Sequence, residues 1–259
     1  MSEARITVEK QDAIAVIRLA RPERLNALDL EMLRALDETC AAIETDSAIR
    51  AAVITGEGKA FSAGGDIKAW AGMGAGEFGH QWVRFGHRVF ERLAGLRVPL
   101  IAALNGHALG GGLEIAACAD LRIAETQAKI GLPETSLGMV PGWSGTQRLV
   151  RRFGIQPVRR MALCGEMLSA NEAVQLGIVD RVVGTGEAFA AAIAQAQAIA
   201  ARGPTATETV KLMLAAAEGE GAPAAVEALG SILAAKTADL REGVSAFGEK
   251  RAAQFQGGW

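Results

Sequence analysis

Pro99-Leu100-Ile101-Ala102-Ala103-Leu104 followed by Asn105-Gly106-His107-Ala108-Leu109-Gly110-Gly111-Gly112-Leu113-Glu114 is the stretch on which the fold turns. The first six residues form a short apolar run, as a strand buried on both faces requires. A glycine triplet then opens a helix, and glycine lets the chain or a ligand come close to the backbone. Repeated strand-to-helix steps of this kind build an α/β protein with largely parallel strands.

The same rhythm extends outward. Ile6–Glu9 and Ile14–Leu19 read as paired strands around Gln11-Asp12, and Asp29 caps a helix whose apolar positions Leu30, Leu33, Leu36, Cys40 and Ile43 recur at helical spacing. Strand Ala51–Thr55, a glycine-rich loop at Gly56–Gly65, a helical stretch at Trp82–Leu96 and strands at Leu121–Ala124 and Val179–Val183 follow. Ser169-Ala170-Asn171-Glu172 is a capping box, and Gly177 stops that helix. From Ala188 onward the pattern is helical, broken at Gly203-Pro204 and Gly219–Pro223. We expect a core over residues 1–200 and a helical subdomain over 201–259. The tail is rich in alanine, which buries little area, so it is expected to lean on the core or on another subunit.

The chain of 259 residues is half hydrophobic, so a large core is accessible. A formal charge of −2 offers no global attraction to nucleic acid or anionic membranes. The three cysteines, Cys40, Cys118 and Cys164, lack disulfide or zinc spacing. Met1-Ser2-Glu3-Ala4-Arg5 has neither a signal-peptide core nor transit-peptide character, and a cytoplasmic protein is expected. Val98–Ala119 is the most apolar long stretch, but Asn105, His107, Glu114 and its glycines argue against a membrane span.

Glu114 and Glu134 stand in settings suited to paired acid/base work, the first in the opening turn of a helix, the second stiffened by Pro133. Two carboxylates at one reaction centre can divide proton removal from proton delivery. Phe61-Ser62-Ala63-Gly64-Gly65-Asp66-Ile67-Lys68 is either an ordinary flexible loop or half of an oxyanion hole, with N–H donors near Gly65 and Gly111 converging on a carbonyl oxygen. Such a donor is typically worth about 3 kcal/mol in a transition state. Gly74-Ala75-Gly76-Glu77-Phe78-Gly79 matches G-x-G-x-x-G but follows no buried strand, and we read it as a mobile loop. His80, His87 and His107 lack metal-ligand spacing and are read as surface or packing residues.

The segments F-S-A-G-G-D-I-K, N-G-H-A-L-G-G-G-L-E and G-L-P-E-x-x-L-G-x-x-P-G-W-S-G-T-Q-R-L together resemble the enoyl-CoA hydratase/isomerase, or crotonase, superfamily. The likeness begins at Arg21-Pro22-Glu23-Arg24-Leu25-Asn26-Ala27-Leu28 and runs to Ala246–Arg251. It implies a crotonase-like spiral core of ββα units with a C-terminal helical subdomain, an acyl-CoA thioester substrate, and a trimer or dimer of trimers. Glu114 and Glu134 match the two hydratase carboxylates, which implies hydration of a trans-2-enoyl-CoA to a 3-hydroxyacyl-CoA without a metal or redox cofactor. The oxyanion donors would be the N–H groups of Gly65, which replaces a common alanine, and Gly111.

Ala63, Asp66, Ile67, Lys68 and Gly142 are implied substrate or CoA contacts, with Arg24 and Leu25 at the nucleotide end. Phe247 and Lys250 match a segment that can reach a neighbouring subunit's CoA, or else lie solvated on the last helix. Trp143 and Ser144 depart from the family's small residues: the indole either shortens the acyl pocket or packs under a helix. Competing functions are a double-bond isomerase or specialised dehydratase of the same fold, and a non-catalytic scaffold or nucleic-acid binder. The last is supported by a basic stripe, Arg148, Arg151, Arg152, Arg159 and Arg160.

Overall fold

The computed structural model describes residues 4–257, so Met1–Glu3 of the N-terminal segment read for targeting lies outside the described residues. The chain forms two compact units, Met1–Glu208 and Thr209–Trp259. In chain order the first unit holds β1 (Ile6–Gln11), β2 (Ile14–Leu19), α1 (Leu30–Thr45), β3 (Ala51–Gly56), β4 (Ala60–Ser62), α2 (Ile67–Trp70) and α3 (Ala75–Glu77). There follow α4 (Arg84–Ala94), β5 (Leu100–Leu104), β6 (His107–Leu109), α5 (Gly111–Ala116), β7 (Leu121–Glu125) and β8 (Lys129–Gly131). Then come α6 (Gln147–Phe153), α7 (Ile155–Cys164), β9 (Leu168–Ser169), α8 (Ala170–Gln175), β10 (Arg181–Val183) and α9 (Ala188–Ala200).

The main sheet has strand order β1-β2-β3-β5-β7-β10, antiparallel only at the β1/β2 hairpin. Its central strands, β3 and β5, are apolar apart from Thr55 because both faces are covered, and the period of two sorts their side chains between two cores. Ile17, Ile54, Ala102 and Leu104 face the larger core with α1 and α4. Val16, Val53, Ile101 and Ala103 face Ala188, Ala192 and Ala196 of α9, whose small side chains let that helix lie close. At the start of α1 Asp29 accepts a hydrogen bond from Met32 N at 2.9 Å, satisfying one of the free N–H groups of the first turn. The capping box at Ser169 and Glu172 forms as expected.

A second sheet, β4-β6-β8-β9, departs from the sequence reading. The stretch read as a glycine-rich loop, Gly56–Gly65, contains β4, which pairs in parallel with β6. Strands of two or three residues carry no readable periodicity; they exist because neighbouring backbones meet. Val179–Val183 shortens to Arg181–Val183. Gly74–Gly79, expected as a mobile loop, is helical: α3 runs into a π-helical turn at Phe78–Val83 that places Phe78 and Trp82 on the inside.

In the second unit α10 (Pro204–Ala217), begun in the first, is followed by α11 (Ala222–Ala235) and α12 (Ala238–Glu249). Thr237 caps α12, accepting from Leu240 N at 3.2 Å. Cys40 and Cys118 are buried and Cys164 exposed, and all three are free thiols. Among the described residues no helix is long and apolar enough to cross a membrane, and no group of His, Cys, Asp or Glu has a metal-binding arrangement.

Helix α5 passes tightly against β4 of the second sheet. A Cβ at Gly112 would stand 2.3 Å from the backbone oxygen of Ser62, which has no flexible end to give way. Gly112→Ala is therefore expected to destabilise the fold by about 1–3 kcal/mol, as overpacking does, read as a lowered urea midpoint. An unchanged midpoint would show that β4 and α5 move apart freely.

Candidate active site

Gly65 is held by its neighbours rather than by its own polar atoms. Leu28 N donates to Gly64 O and Asp66 N donates to Leu28 O, both at 2.7 Å, which turns the Gly65 N–H away from Leu28. Asn26 fixes this loop from beneath. Fully buried, it donates through Nδ2 to Ala60 O at 2.8 Å and Glu57 O at 2.9 Å, while Ser62 Oγ donates to its carbonyl at 2.8 Å. Gly111 opens α5, where the first N–H groups have no acceptor within the helix. The two loops touch: a Cβ built on Gly111 would lie 3.4 Å from Gly65 N. Two backbone donors from separate loops thus stand together beside a cavity of about 290 Å³ that both residues line.

Both carboxylates line the same cavity. Glu114 is 2 % exposed, and one of its oxygens, Oε1, accepts from Trp143 N and Gly145 N, each at 2.7 Å. Glu134 follows Pro133 in a short 3-10 turn, with a carboxylate oxygen that is buried and has no hydrogen-bond partner. It reaches the glycine triplet directly: a Cβ on Gly110, whose φ of +52° favours glycine, would meet Glu134 Oε1 at 2.8 Å. Burial, and then the charge of Glu134, push the Glu114 carboxyl up to about 8, against the pull of the two N–H groups and Arg148. Burial likewise pushes Glu134 up. Two carboxyls withdrawn from water, one fully and one in part, that repel each other retain a proton into the neutral range, titrating as a pair. The N–H donors favour the anion at Glu114, so the proton belongs on Glu134. One carboxylate and one carboxylic acid then face the same space.

The loop that supplies those N–H groups is braced through Ser144, a non-glycine residue with φ of +76°. Its hydroxyl donates to Glu91 Oε1 at 3.2 Å and shares a hydrogen bond with His87 Nδ1 at 3.1 Å. Arg148, buried on α6, donates to the same Glu91 oxygen at 2.6 Å. Sequence reasoning did not assign functional weight to Ser144 or Asn26; both act through the tertiary neighbours they tie together, and neither carries a local signal.

Of the residues read from the sequence, Ala63, Gly65, Ile67, Gly111, Glu114, Glu134, Gly142 and Trp143 come together around the cavity. Asp66 instead caps α2, accepting from Lys68 N at 3.0 Å, and pairs with Arg21 at 2.8 Å. Lys68 and Arg24 are exposed, as is Leu25, whose carbonyl accepts from Ala63 N at 2.9 Å. Phe247 and Lys250 belong to the second unit, where Phe247 is exposed and Lys250 ends α12 in the left-handed conformation. Trp70, Phe78 and Trp82 also line the cavity and were not singled out, because aromatic residues in short helical turns read as ordinary core.

The basic stripe does not form a surface. Arg148 is buried, Arg152 donates to Ala117 O and Ala119 O at 2.8 Å, and Arg160 pairs with Glu166, leaving Arg151 and Arg159 exposed. Helical spacing had aligned charges that tertiary contacts consume.

A site built from two glycine-loop donors and two carboxylates lining one cavity, on a spiral of strands and helices, agrees with what comparison with known proteins finds. The profile of the enoyl-CoA hydratase/isomerase family matches residues 9–258, and the chain belongs to that family. It is 37% identical over 265 residues to a crotonyl-CoA hydratase of Syntrophomonas wolfei, covering 98% of this chain and 99% of the relative. A short-chain-enoyl-CoA hydratase of Clostridium acetobutylicum is 41% identical over 188 residues, 72% of each chain. The crystal structure of an enoyl-CoA hydratase from Bacillus anthracis superposes with a TM-score of 0.81 at 33% identity, covering 98% of this chain and 99% of that one.

The proton that the Glu114–Glu134 pair retains has a consequence for stability. Between the ordinary value of 4.5 and about 8 the unfolded chain has released both carboxyl protons and the folded pair still holds one, so stability falls as pH rises through that window. Glu114→Gln removes one carboxyl and the repulsion between the two, and so reduces this dependence. Its urea midpoint relative to the wild type is expected to climb from about pH 5 to pH 8, and a constant offset across that range would show that the pair titrates normally.

Proposed function

We propose that the protein is an enoyl-CoA hydratase, adding water across the double bond of a trans-2-enoyl-CoA to give a 3-hydroxyacyl-CoA. The observation that carries this reading is the pair of carboxylates, buried Glu114 and half-buried Glu134, facing one cavity beside the paired Gly65 and Gly111 backbones. The names of the hydratases this chain resembles point the same way.

In the proposed reaction the thioester oxygen accepts hydrogen bonds from the N–H groups of Gly65 and Gly111. Water held between the carboxylates attacks the β-carbon, and Glu114 takes its proton. The electron pair of the double bond moves onto the thioester oxygen as an enolate, which the two fixed donors stabilise without reorganisation. The enolate then collapses, and Glu134 delivers a proton to the α-carbon. Transfer of the proton from Glu114 to Glu134 restores the site. Water is added and nothing is oxidised or reduced, so we propose no cofactor beyond the coenzyme A carried by the substrate.

The CoA contacts proposed for Arg24, Leu25, Asp66 and Lys68 rest on the family likeness. So do those of Phe247 and Lys250, together with assembly as a trimer or dimer of trimers. Assembly also draws support from exposed apolar side chains in the second unit, Val226, Val244 and Phe247 at 70%, 65% and 88% exposure. Sedimentation of the purified chain at the mass of a trimer or hexamer is expected; a monomer at micromolar concentration would end that part of the proposal.

Activity is tested by loss of the conjugated-thioester absorbance of crotonyl-CoA. Glu114→Gln and Glu134→Gln are each expected to lower kcat by about 100-fold or more, the worth of a positioned acid or base, while CoA-ester affinity persists. Wild-type-like turnover in either variant would sink the two-carboxylate mechanism. Turnover of 3-enoyl but not 2-enoyl thioesters would make the protein an isomerase.

A further inference from the structure

Trp143 occupies one of the two adjacent positions, with Ser144, where the family likeness leads one to expect a small residue, and its side chain lines the cavity. Its backbone N–H belongs to Glu114. Its indole turns inward and is 3 % exposed, with ring centroids 5.0 Å from Trp82 and 5.1 Å from Phe90. The indole N–H donates to Trp82 O at 3.1 Å, which fixes the ring plane. On the far side the ring rests on α4 at Gly86, where a Cβ would come within 2.2 Å of Nε1. On the near side its benzo edge stands 2.8 Å from the place a Gly111 Cβ would take and 3.6 Å from that of Gly65. A single rigid side chain therefore spans the distance from the two proposed oxyanion loops to α4 and fills it.

The sequence left two readings of this residue, a pocket wall or a packing residue under a helix. The geometry makes it both, because packing on Gly86 is what holds the wall in place. We propose that Trp143 is the residue that sets acyl-chain length: it closes the inner end of the acyl pocket, restricts the enzyme to short 2-enoyl thioesters of the four-carbon class, and shields the space toward Gly86 that a longer chain would enter. This rests on the hydratase reading for the identity of the substrate, but not for the shape of the pocket. The opposite prediction attaches to Gly86: a side chain there drives the indole outward into the cavity and narrows it further.

Discrimination by an apolar wall is large for each methylene that has no place to go, about 10-fold or more. The experiment compares kcat/KM for crotonyl-CoA, trans-2-hexenoyl-CoA and trans-2-decenoyl-CoA in the purified full chain and in Trp143→Ala, Trp143→Phe and Gly86→Ala. The wild type is expected to favour crotonyl over decenoyl by about 10-fold or more, and Trp143→Ala to shift that ratio at least about 10-fold toward decenoyl, mostly through KM. Trp143→Phe, the milder change should the alanine variant fold poorly, moves it part of the way, and Gly86→Ala moves it in the other direction. Calorimetric Kd values for butyryl-CoA and decanoyl-CoA report the pocket without turnover. No turnover of any substrate, with the Kd ratio still shifting in the Trp143 variants, would overturn the hydratase reading and leave the wall standing. Wild-type ratios in both Trp143 variants, by turnover and by binding, would overturn the wall.

Discussion

One carboxylate oxygen organises this molecule: Oε1 of Glu114 accepts from Trp143 N and Gly145 N, deep in the first unit. A buried carboxylate is costly unless hydrogen-bonded, so α5 can sink into the core only if the loop after Pro141 folds over to meet it. That loop in turn needs an anchor, supplied by Ser144 through His87 and Glu91 of α4 and by Arg148 through the same glutamate. The carboxylate, the loop and two helices form one connected polar network that runs from the apolar core at Glu114 out to the half-exposed Glu91 carboxylate. Such a network is rigid when satisfied throughout, which is what acid/base chemistry asks of its positioning.

The glycine triplet acts through the same economy of space. Gly110 leaves room for the Glu134 carboxylate, Gly111 for the edge of Trp143 and the approach of Gly65, and Gly112 for the carbonyl of Ser62. Three consecutive positions thus bring together the second carboxylate, the oxyanion loop and the second sheet. A side chain at any of them would displace a different part of the site.

Polar satisfaction is deliberately incomplete at one place. Glu134 keeps a buried oxygen without a partner, directed at a cavity whose other walls are largely aromatic and aliphatic. Low polarity around that oxygen favours the protonated acid, whereas the donors around Glu114 favour the anion. The difference between two chemically identical side chains comes from the hydrogen-bond donors at Glu114, helped by the charge of Arg148.

The sequence by itself determined the alternation of strands and helices, the cap at Asp29, the capping box at Ser169, and the candidacy of Glu114, Glu134, Gly65 and Gly111, because each depends on periodicity, turn chemistry or a compact motif. The family likeness rested on those same short segments, in order. Only the tertiary structure decided the second sheet, whose strands are too short to carry a period, and the helical form of Gly74–Gly79. It alone also decided the burial of Arg148 out of an apparent basic stripe and the role of Ser144. These depend on what a residue meets across the fold, and a linear chain does not record which neighbours its own folding will bring.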